Sequence, residues 1–378
     1  MTVFQRNVEE YGVVFAYESF DEFVQNFKFQ DCLLSVFVDG LCFDFLIKPG
    51  ELKNAFVLFN SAVPEKDFVK TPIFTARKIL SELKSSKIYV SDPFINIADG
   101  FRCFWYLSSK KIDVQNIIKN ILSHLFYLME AERIVFWGSS GGGYPALFYS
   151  YQFENSVALV NAPTTTIRKH HEANFILSSM NSALREFYED EVAGVLDLKE
   201  LCGSNSAFIL LNKGDRIFRE KHIVPYVDHK KSIEMDESED FVSDDLVVMV
   251  GDWGKGHLVA PTDLIKNIFK YLEYKEFDKK NLFKKDRVMS FKDLGIKYEK
   301  SGGDMVVSIN GICESSKFAF YIYVNGEIKE KIGYQDSNVL RIKDYEKNAN
   351  YRIGCFVRFD VDKFILRGSV VIEREVGK

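Results

Sequence analysis

No apolar run in this chain of 378 residues approaches the roughly 18 needed to cross a bilayer as a helix. The first 20 residues carry Arg6, Glu9, Glu10 and Glu18, so they also lack the basic start and apolar middle of a secretory signal. The six cysteines (Cys32, Cys42, Cys103, Cys202, Cys313 and Cys355) are scattered, with no CxxC spacing between any two. That scatter argues against a zinc site and against a disulfide framework, and leaves free thiols in a reducing cytoplasm as the expectation. A basic excess is missing too, since the formal net charge is −5. Local clusters such as Lys279-Lys280 and Lys284-Lys285 then read as solvated surface, and nucleic acid is not an expected partner. No internal repeat or low-complexity tract interrupts the pattern.

What is present is an ordinary globular composition, 47% hydrophobic and 27% charged, able to bury a sizeable core. The length predicts one large or two unequal domains. Up to about residue 276, short apolar runs alternate with longer segments of helical spacing, as in a mostly parallel sheet with helices on both faces. The expected strands are Leu33–Val38, Phe43–Ile47, Ala55–Phe59, Lys87–Val90, Arg133–Trp137, Ser156–Val160, Ala207–Leu211 and Leu246–Val250. Most are continuous Val/Ile/Leu/Phe stretches, the signature of strands buried on both faces. Helices are expected over Thr75–Lys84, Val114–Glu130 and Tyr144–Gln152, and from Pro261-Thr262-Asp263 onward. The segment 164–203 is too long for an ordinary connection. With helix-like pieces at Asn174–Tyr188 and Asp190–Leu201, it reads as a helical lid.

Beyond residue 276 the period changes. A charged linker at 277–297 is expected to lead into a small all-β sandwich at 298–378, with strands near Met305–Ile309, Phe318–Val324, Val339–Ile342, Tyr351–Phe359 and Ser369–Ile372. Asn325-Gly326 is a two-residue hairpin signal between two of these runs.

The chemistry concentrates in Gly138-Ser139-Ser140-Gly141-Gly142, a G-x-S-x-G pattern entered by Ile134-Val135-Phe136-Trp137 and left by a helix near Tyr144-Pro145-Ala146. A strand–turn–helix of this kind exposes a serine hydroxyl on a sharp turn, and flanking glycines let the strand and helix backbones approach. A phosphate-binding turn is the competing reading. A Walker loop would need Gly-Lys-Ser/Thr after its last glycine, where Gly143-Tyr144-Pro145 stands, and GxGxxG is absent. A serine needs a base, and the base needs an acid to hold it in one tautomer. Downstream, Asp215 follows the strand Phe208-Ile209-Leu210-Leu211, and His257 follows Val247-Val248-Met249-Val250. Both fall just beyond strand C-termini, where open α/β sheets bind ligands. Asp252 and Asp92 are reserve acids. His124 reads as structural, and His222 and His229 as surface residues or supports near the site.

An oxyanion hole needs two backbone N–H donors. One is expected from Gly141, the other from Ser61 or Ala62 in the loop after Phe56-Val57-Leu58-Phe59. Asn60, Trp105 and His170 are candidate substrate contacts, and Phe101, Phe104, Trp105 and Tyr106 supply aromatic surface that either packs in the core or stacks on a sugar. No ligand cluster calls for a metal, and the mechanism needs no organic cofactor.

On these residues the chain resembles the α/β-hydrolase superfamily over roughly residues 30–276. Ser91-Asp92-Pro93-Phe94 and Val160-Asn161-Ala162-Pro163-Thr164 resemble proteins of bacterial surface-glycan machinery, including capsule biosynthesis proteins and the O-acetyltransferase-like component of the accessory secretion system. A terminal β-sandwich with a Tyr-Ile-Tyr-Val-Asn-Gly strand is similar to add-on domains in that setting. The resemblance implies serine-dependent acyl-ester chemistry on a carbohydrate hydroxyl, as O-acyltransferase or esterase, with an acyl donor or ester and a carbohydrate as partners. Asn60-Ser61 departs from the His-Gly-Gly signature common in esterases. The alternatives are a non-catalytic hydrolase fold that binds a glycan or partner protein, and a peptidase or lipase.

Overall fold

The computed structural model describes residues 3–63, 68–95, 102–169, 173–188, 190–201, 206–231, 241–242, 246–274, 288–290, 295–301, 303–310, 316–359 and 365–372. Contacts divide the chain into one unit of Met1–Phe241 with Asp245–Ala260, and a second of Val242–Asp244 with Pro261–Lys378.

The first unit is organised by a long twisted sheet. Its nine longer strands are β1 (Val14–Tyr17), β2 (Cys32–Val38), β3 (Leu41–Lys48), β4 (Leu52–Phe59), β5 (Ser85–Val90), β6 (Arg133–Ser139), β7 (Ser156–Asn161), β8 (Ser206–Gly214) and β9 (Leu246–Lys255). Their spatial order is β9-β8-β7-β6-β4-β5-β3-β2-β1. Only β3 runs against its neighbours, pairing antiparallel with β2 and β5; all other pairings along this run are parallel. Strands β5 and β7 are buried at every position; two of their polar members, Lys87 and Asn161, are hydrogen-bonded, as Lys87 Nζ donates to Leu83 O and Asn161 Oδ1 accepts from Ala260 N. Helix α1 (Phe20–Asn26) is capped by Ser19, whose hydroxyl accepts Glu22 N–H at 3.1 Å. Helix α2 (Val114–Leu128) is capped by Asp113 and buries Val114, Ile118, Ile121, Leu122 and Leu125 along one stripe. Helix α3 (Gly143–Ser150) is buried at all eight positions.

Two helical expectations fail. Thr75–Lys84 forms successive turns: Ala76 has a left-handed φ of 61°, and Lys84 O is taken by Glu51 N at 2.6 Å. A helix cannot run through a residue of the wrong hand, and the bonds that do form, Ile79 N to Ala76 O at 3.0 Å and Leu83 N to Leu80 O at 3.2 Å, are i→i−3 turns and not an α-helical ladder. In the insertion between β7 and β8, helix α4 (Ala173–Tyr188) forms, but Asp190–Leu201 is not an α-helix. Val192–Ala193 instead pairs antiparallel with Ser108–Ser109, Gly194 adopts φ 83°, and Val195 N donates to Gln115 Oε1 at 3.0 Å. Backbone groups that bond outward in this way are unavailable to an i→i−4 ladder. After β8 the chain turns helical at once: a helical turn at Arg216–Phe218 leads through a π-helical stretch at Arg219–Ile223 into helix α5 (Val224–Lys231).

In the second unit, helix α6 (Thr262–Tyr274) buries Leu264, Ile265, Ile268, Phe269 and Leu272, the expected stripe. Most of the expected linker at 277–297 lies outside the described residues. Then come β10 (Val288–Ser290), β11 (Gly295–Ser301), β12 (Asp304–Asn310), β13 (Ser316–Val324), β14 (Glu327–Gln335), β15 (Val339–Ile342), β16 (Tyr351–Phe359) and β17 (Ile365–Ile372). They form two sheets, β10-β17-β16-β13-β14 and β11-β12-β15. Met305, Val307 and Ile309 of β12 are buried alternately, so the period of two sorts that strand into an inner and an outer face; β13 buries Phe318, Phe320 and Ile322 on one face and the small Ala319 on the other. The β13–β14 turn has φ 49° at Asn325 and 92° at Gly326, the left-handed pair that Asn-Gly tolerates best.

Candidate active site

Strand β6 ends at Ser139, and the chain reverses into α3 within three residues. Ser140 occupies this turn with φ 51°, a conformation that costs a side-chain-bearing residue on the order of 1–3 kcal/mol and signals function when a fold retains it. The glycines around it are sterically required. A Cβ on Gly138 would lie 1.9 Å from Gly142 O, and one on Gly142 would lie 2.8 Å from both Phe59 O and Asn60 O. Ser61 Oγ donates to Ser139 O at 2.7 Å and Thr164 N to Ser140 O at 3.0 Å, which fixes the turn from two neighbouring loops.

Asp215 stands immediately after β8 and is 3% exposed. Its Oδ1 accepts Phe218 N at 3.2 Å, and its Oδ2 lies 2.5 Å from His257 Nδ1. A carboxylate has no proton to give, so Nδ1–H donates to Asp215, which in the neutral ring leaves the lone pair on Nε2. The His257 ring stacks on Phe218 with centroids 4.0 Å apart and planes at 24°. Its side chain is 38% exposed against 4% for that of Asp215, so the imidazole is reachable from solvent while the carboxylate bonded to it is shielded.

Two asparagines hold the histidine loop, and sequence reasoning missed both as site residues. Asn212, fully buried at the end of β8, donates through Nδ2 to Gly254 O (3.0 Å) and Gly256 O (2.7 Å), and accepts Trp253 N (3.0 Å). Asn161, fully buried at the end of β7, accepts Ala260 N at 2.8 Å, and its Nδ2 lies 3.5 Å from both Ser139 Oγ and Leu258 O. One carboxamide thus bridges the residue before Ser140 and the residue after His257. The only available sequence signal was their position at strand C-termini.

The other expected residues are distributed as follows. Gly141 follows Ser140, and a Cβ placed on it would lie 3.7 Å from Ala62 N. Asn60 is fully buried: Tyr106 Oη receives its N–H at 2.8 Å, and its Oδ1 accepts Asp92 N at 2.9 Å, so its polar atoms serve the scaffold behind the site. Phe104, Trp105 and Tyr106 are buried, so these three take the core-packing alternative. His222 is buried rather than on the surface, 4.9 Å by ring centroid from Phe218, and therefore backs the ring on which His257 stacks. His124 lies edge-on to Phe23 at 5.0 Å, in the structural role expected of it. His170 and Phe101 lie outside the described residues, and so does the side chain of His229. Asp92 is fully buried, and burial pushes its carboxyl up from 3.8 to about 6, although the N–H groups of Phe104, Tyr106 and Phe94 favour its charge. Among the described residues there is no cluster of three or more His, Cys, Asp or Glu placed to hold a metal, and no helix is long and apolar enough to cross a membrane.

A strand order with one antiparallel member, an elbow at Ser140 after β6, an acid after β8 and a histidine after β9 together define an α/β-hydrolase fold. No protein-family model and no curated protein matches the chain. Solved structures of similar fold include the capsule O-acetyltransferase of Neisseria meningitidis serogroup A, at 17% identity and TM-score 0.43 over 63% of this chain and 96% of that one. A putative hydrolase from Agrobacterium vitis S4 and the mouse alpha/beta hydrolase domain-containing protein 10 each align over 64% of this chain and 97% of theirs, at 14% identity and TM-score 0.40.

Proposed function

We propose that the chain is a serine enzyme of acyl-ester chemistry, an O-acyltransferase or esterase that acts on a carbohydrate. The observation that carries the reading is a serine held in a left-handed elbow, with a buried aspartate orienting a partly exposed histidine at the ends of neighbouring parallel strands. Ser140 Oγ adds to the acyl carbonyl carbon while its proton passes to His257 Nε2. The carbonyl π electrons move onto oxygen, where Gly141 N–H and the backbone N–H of Ser61 or Ala62 donate to the oxyanion. Collapse breaks the bond to the leaving group, which departs with the proton from His257. A sugar hydroxyl or water then attacks the acyl-Ser140 ester, loses its proton to His257 and releases Ser140 by the same steps in reverse. Asp215 keeps Nδ1 protonated throughout and stabilises the imidazolium.

The carbohydrate acceptor and a small-molecule acyl donor rest on the resemblance around Ser91–Phe94 and Val160–Thr164. A cytoplasmic setting agrees with the free thiols of Cys32, Cys42, Cys103 and Cys355. The test is labelling with a fluorophosphonate and turnover of p-nitrophenyl acetate, comparing the wild type with Ser140→Ala and His257→Ala. Labelling lost in Ser140→Ala, with turnover down by roughly three orders of magnitude in both, supports the assignment. A folded wild type that neither labels nor turns over would remove the triad and favour a binding protein.

A further inference from the structure

The segment Arg102–Leu107 takes no part in the triad, yet it carries the most unusual backbone in the first unit. Trp105 and Tyr106 are consecutive non-glycine residues with φ 52° and 56°. Left-handed residues other than glycine normally occur singly, and each costs on the order of 1–3 kcal/mol, so a fold that retains two in succession has them strongly over-determined.

The clamps that hold them are visible. Asp92 Oδ2 accepts the N–H groups on either side of Trp105, from Phe104 at 2.8 Å and Tyr106 at 3.3 Å. Tyr106 Oη receives Asn60 N at 2.8 Å, and Val63 N donates to Arg102 O at 2.8 Å. The segment is therefore laced to residues 60–63, the loop that follows β4. Its side chains converge on the residue after the nucleophile. A Cβ built on Gly141 would lie 2.8 Å from Cys103 Sγ, 3.3 Å from Trp105 Nε1 and 3.7 Å from Ala62 N. Gly141 thus has no side chain because an indole N–H edge, a thiol and a backbone N–H already occupy that space. Burial holds the Cys103 thiol protonated, so it fills volume there and is no rival nucleophile.

We propose that the indole N–H of Trp105 is a third donor to the oxyanion that forms on the acyl group attached to Ser140, and that the left-handed pair Trp105-Tyr106 aims it there. The inference rests on the reading of Ser140 as nucleophile. A hydroxyl-bearing turn with only two backbone donors depends on loop geometry. A buried indole adds a rigid donor that has no conformational freedom to lose when charge develops. Three N–H groups, from Gly141, the 60–63 loop and Trp105, then surround the oxygen that gains the electron pair as Ser140 Oγ bonds to carbon.

The test is Trp105→Phe, which keeps an aromatic ring and removes the N–H. With p-nitrophenyl acetate, kcat should fall on the order of 100-fold with KM within about twofold, and the rate of fluorophosphonate labelling should fall in parallel, because both reactions place negative charge on the same oxygen. If the phenylalanine variant does not fold, benzothienylalanine at position 105 preserves the bicyclic shape and deletes only the donor. A folded variant with kcat within threefold of wild type overturns the inference. A fall in kcat matched by an equal rise in KM also overturns it, because that pattern marks a binding wall. Failure of the wild type itself to label would instead refute the nucleophile.

Discussion

Replacing Asn212 should disable the histidine without touching any group that contacts substrate. Its carboxamide donates to Gly254 O and Gly256 O and accepts Trp253 N, three hydrogen bonds made within the loop that carries His257. In Asn212→Ala all three are lost. At a net ~1 kcal/mol each, the loss is about 3 kcal/mol, and the freed carbonyls lie in an exposed loop that water can reach, so no full desolvation penalty is added. The fold should survive, since β8 is buried over Ser206–Leu211 and paired on both sides with β7 and β9. The loop should shift even though Gly214 still pairs with Lys255 and Asp215 with His257, because its glycines Gly254 and Gly256, at φ 123° and 80°, give it little stiffness of its own. With His257 as the proposed base, a displacement of about 1 Å there costs on the order of 100-fold in rate. Asn212→Asp should be worse at neutral pH than Asn212→Ala, because a carboxylate then faces two carbonyl oxygens where an NH₂ donated. Acidification that protonates it should restore one donor and part of the activity. The assay is p-nitrophenyl acetate turnover from pH 5 to 9 with thermal melts of each variant, together with the downfield proton resonance expected for His257 Nδ1–H beside Asp215. Variants that melt lower yet keep wild-type kcat and that resonance would refute the argument, and reduce Asn212 to a structural residue.

Two further outcomes follow from geometry already given. Gly138→Ala forces a Cβ to within 1.9 Å of Gly142 O, a backbone atom with nowhere to go, and should destabilise the first unit by about 3 kcal/mol or more; a melt within 2 °C of wild type would show that the elbow can open. Asp92 supplies a pH signature: its folded carboxyl titrates at about 6 against an ordinary 3.8, so the native state holds this proton more tightly than the unfolded chain. Its contribution to stability is therefore greatest below pH 4, declines as pH rises from about 4 to 6, and is flat above. The decline amounts to about 3 kcal/mol at about 1.4 kcal/mol per tenfold change in proton affinity. Urea unfolding of Asp92→Asn between pH 4 and 7 should lack that slope; curves parallel to wild type would contradict it.

Much of this molecule is decided by local chemistry and was therefore readable along the chain. A run of buried residues needs no partner to be recognised as a strand, which is why Ile134–Trp137 and Ala207–Leu211 were legible. Gly138–Gly142 announces an elbow because only glycines permit the approach of two backbones, and Asn325-Gly326 announces a hairpin because few pairs accept two left-handed residues in succession. Even the pairing of Asp215 with His257, 42 positions apart, was inferable, since each follows a strand and strand ends gather on one edge of a parallel sheet.

What only the tertiary structure decided is where polar backbone and side-chain groups find partners at long range. Thr75–Lys84 has helical periodicity, but the chain takes a left-handed turn at Ala76 and its bonds close i→i−3 turns. Asp190–Leu201 reads as helix, but its N–H groups bond to Asn181 and Gln115. Asn161 and Asn212 look like loop punctuation until Ala260 and Gly254–Gly256 are folded against them. Trp105 carries no mark in its neighbours, and its place beside Gly141 depends on Asp92 and Asn60, far away in sequence. Periodicity records which face of an element is buried, whereas hydrogen-bond partnership depends on which elements the fold brings alongside, and one-dimensional order does not encode that.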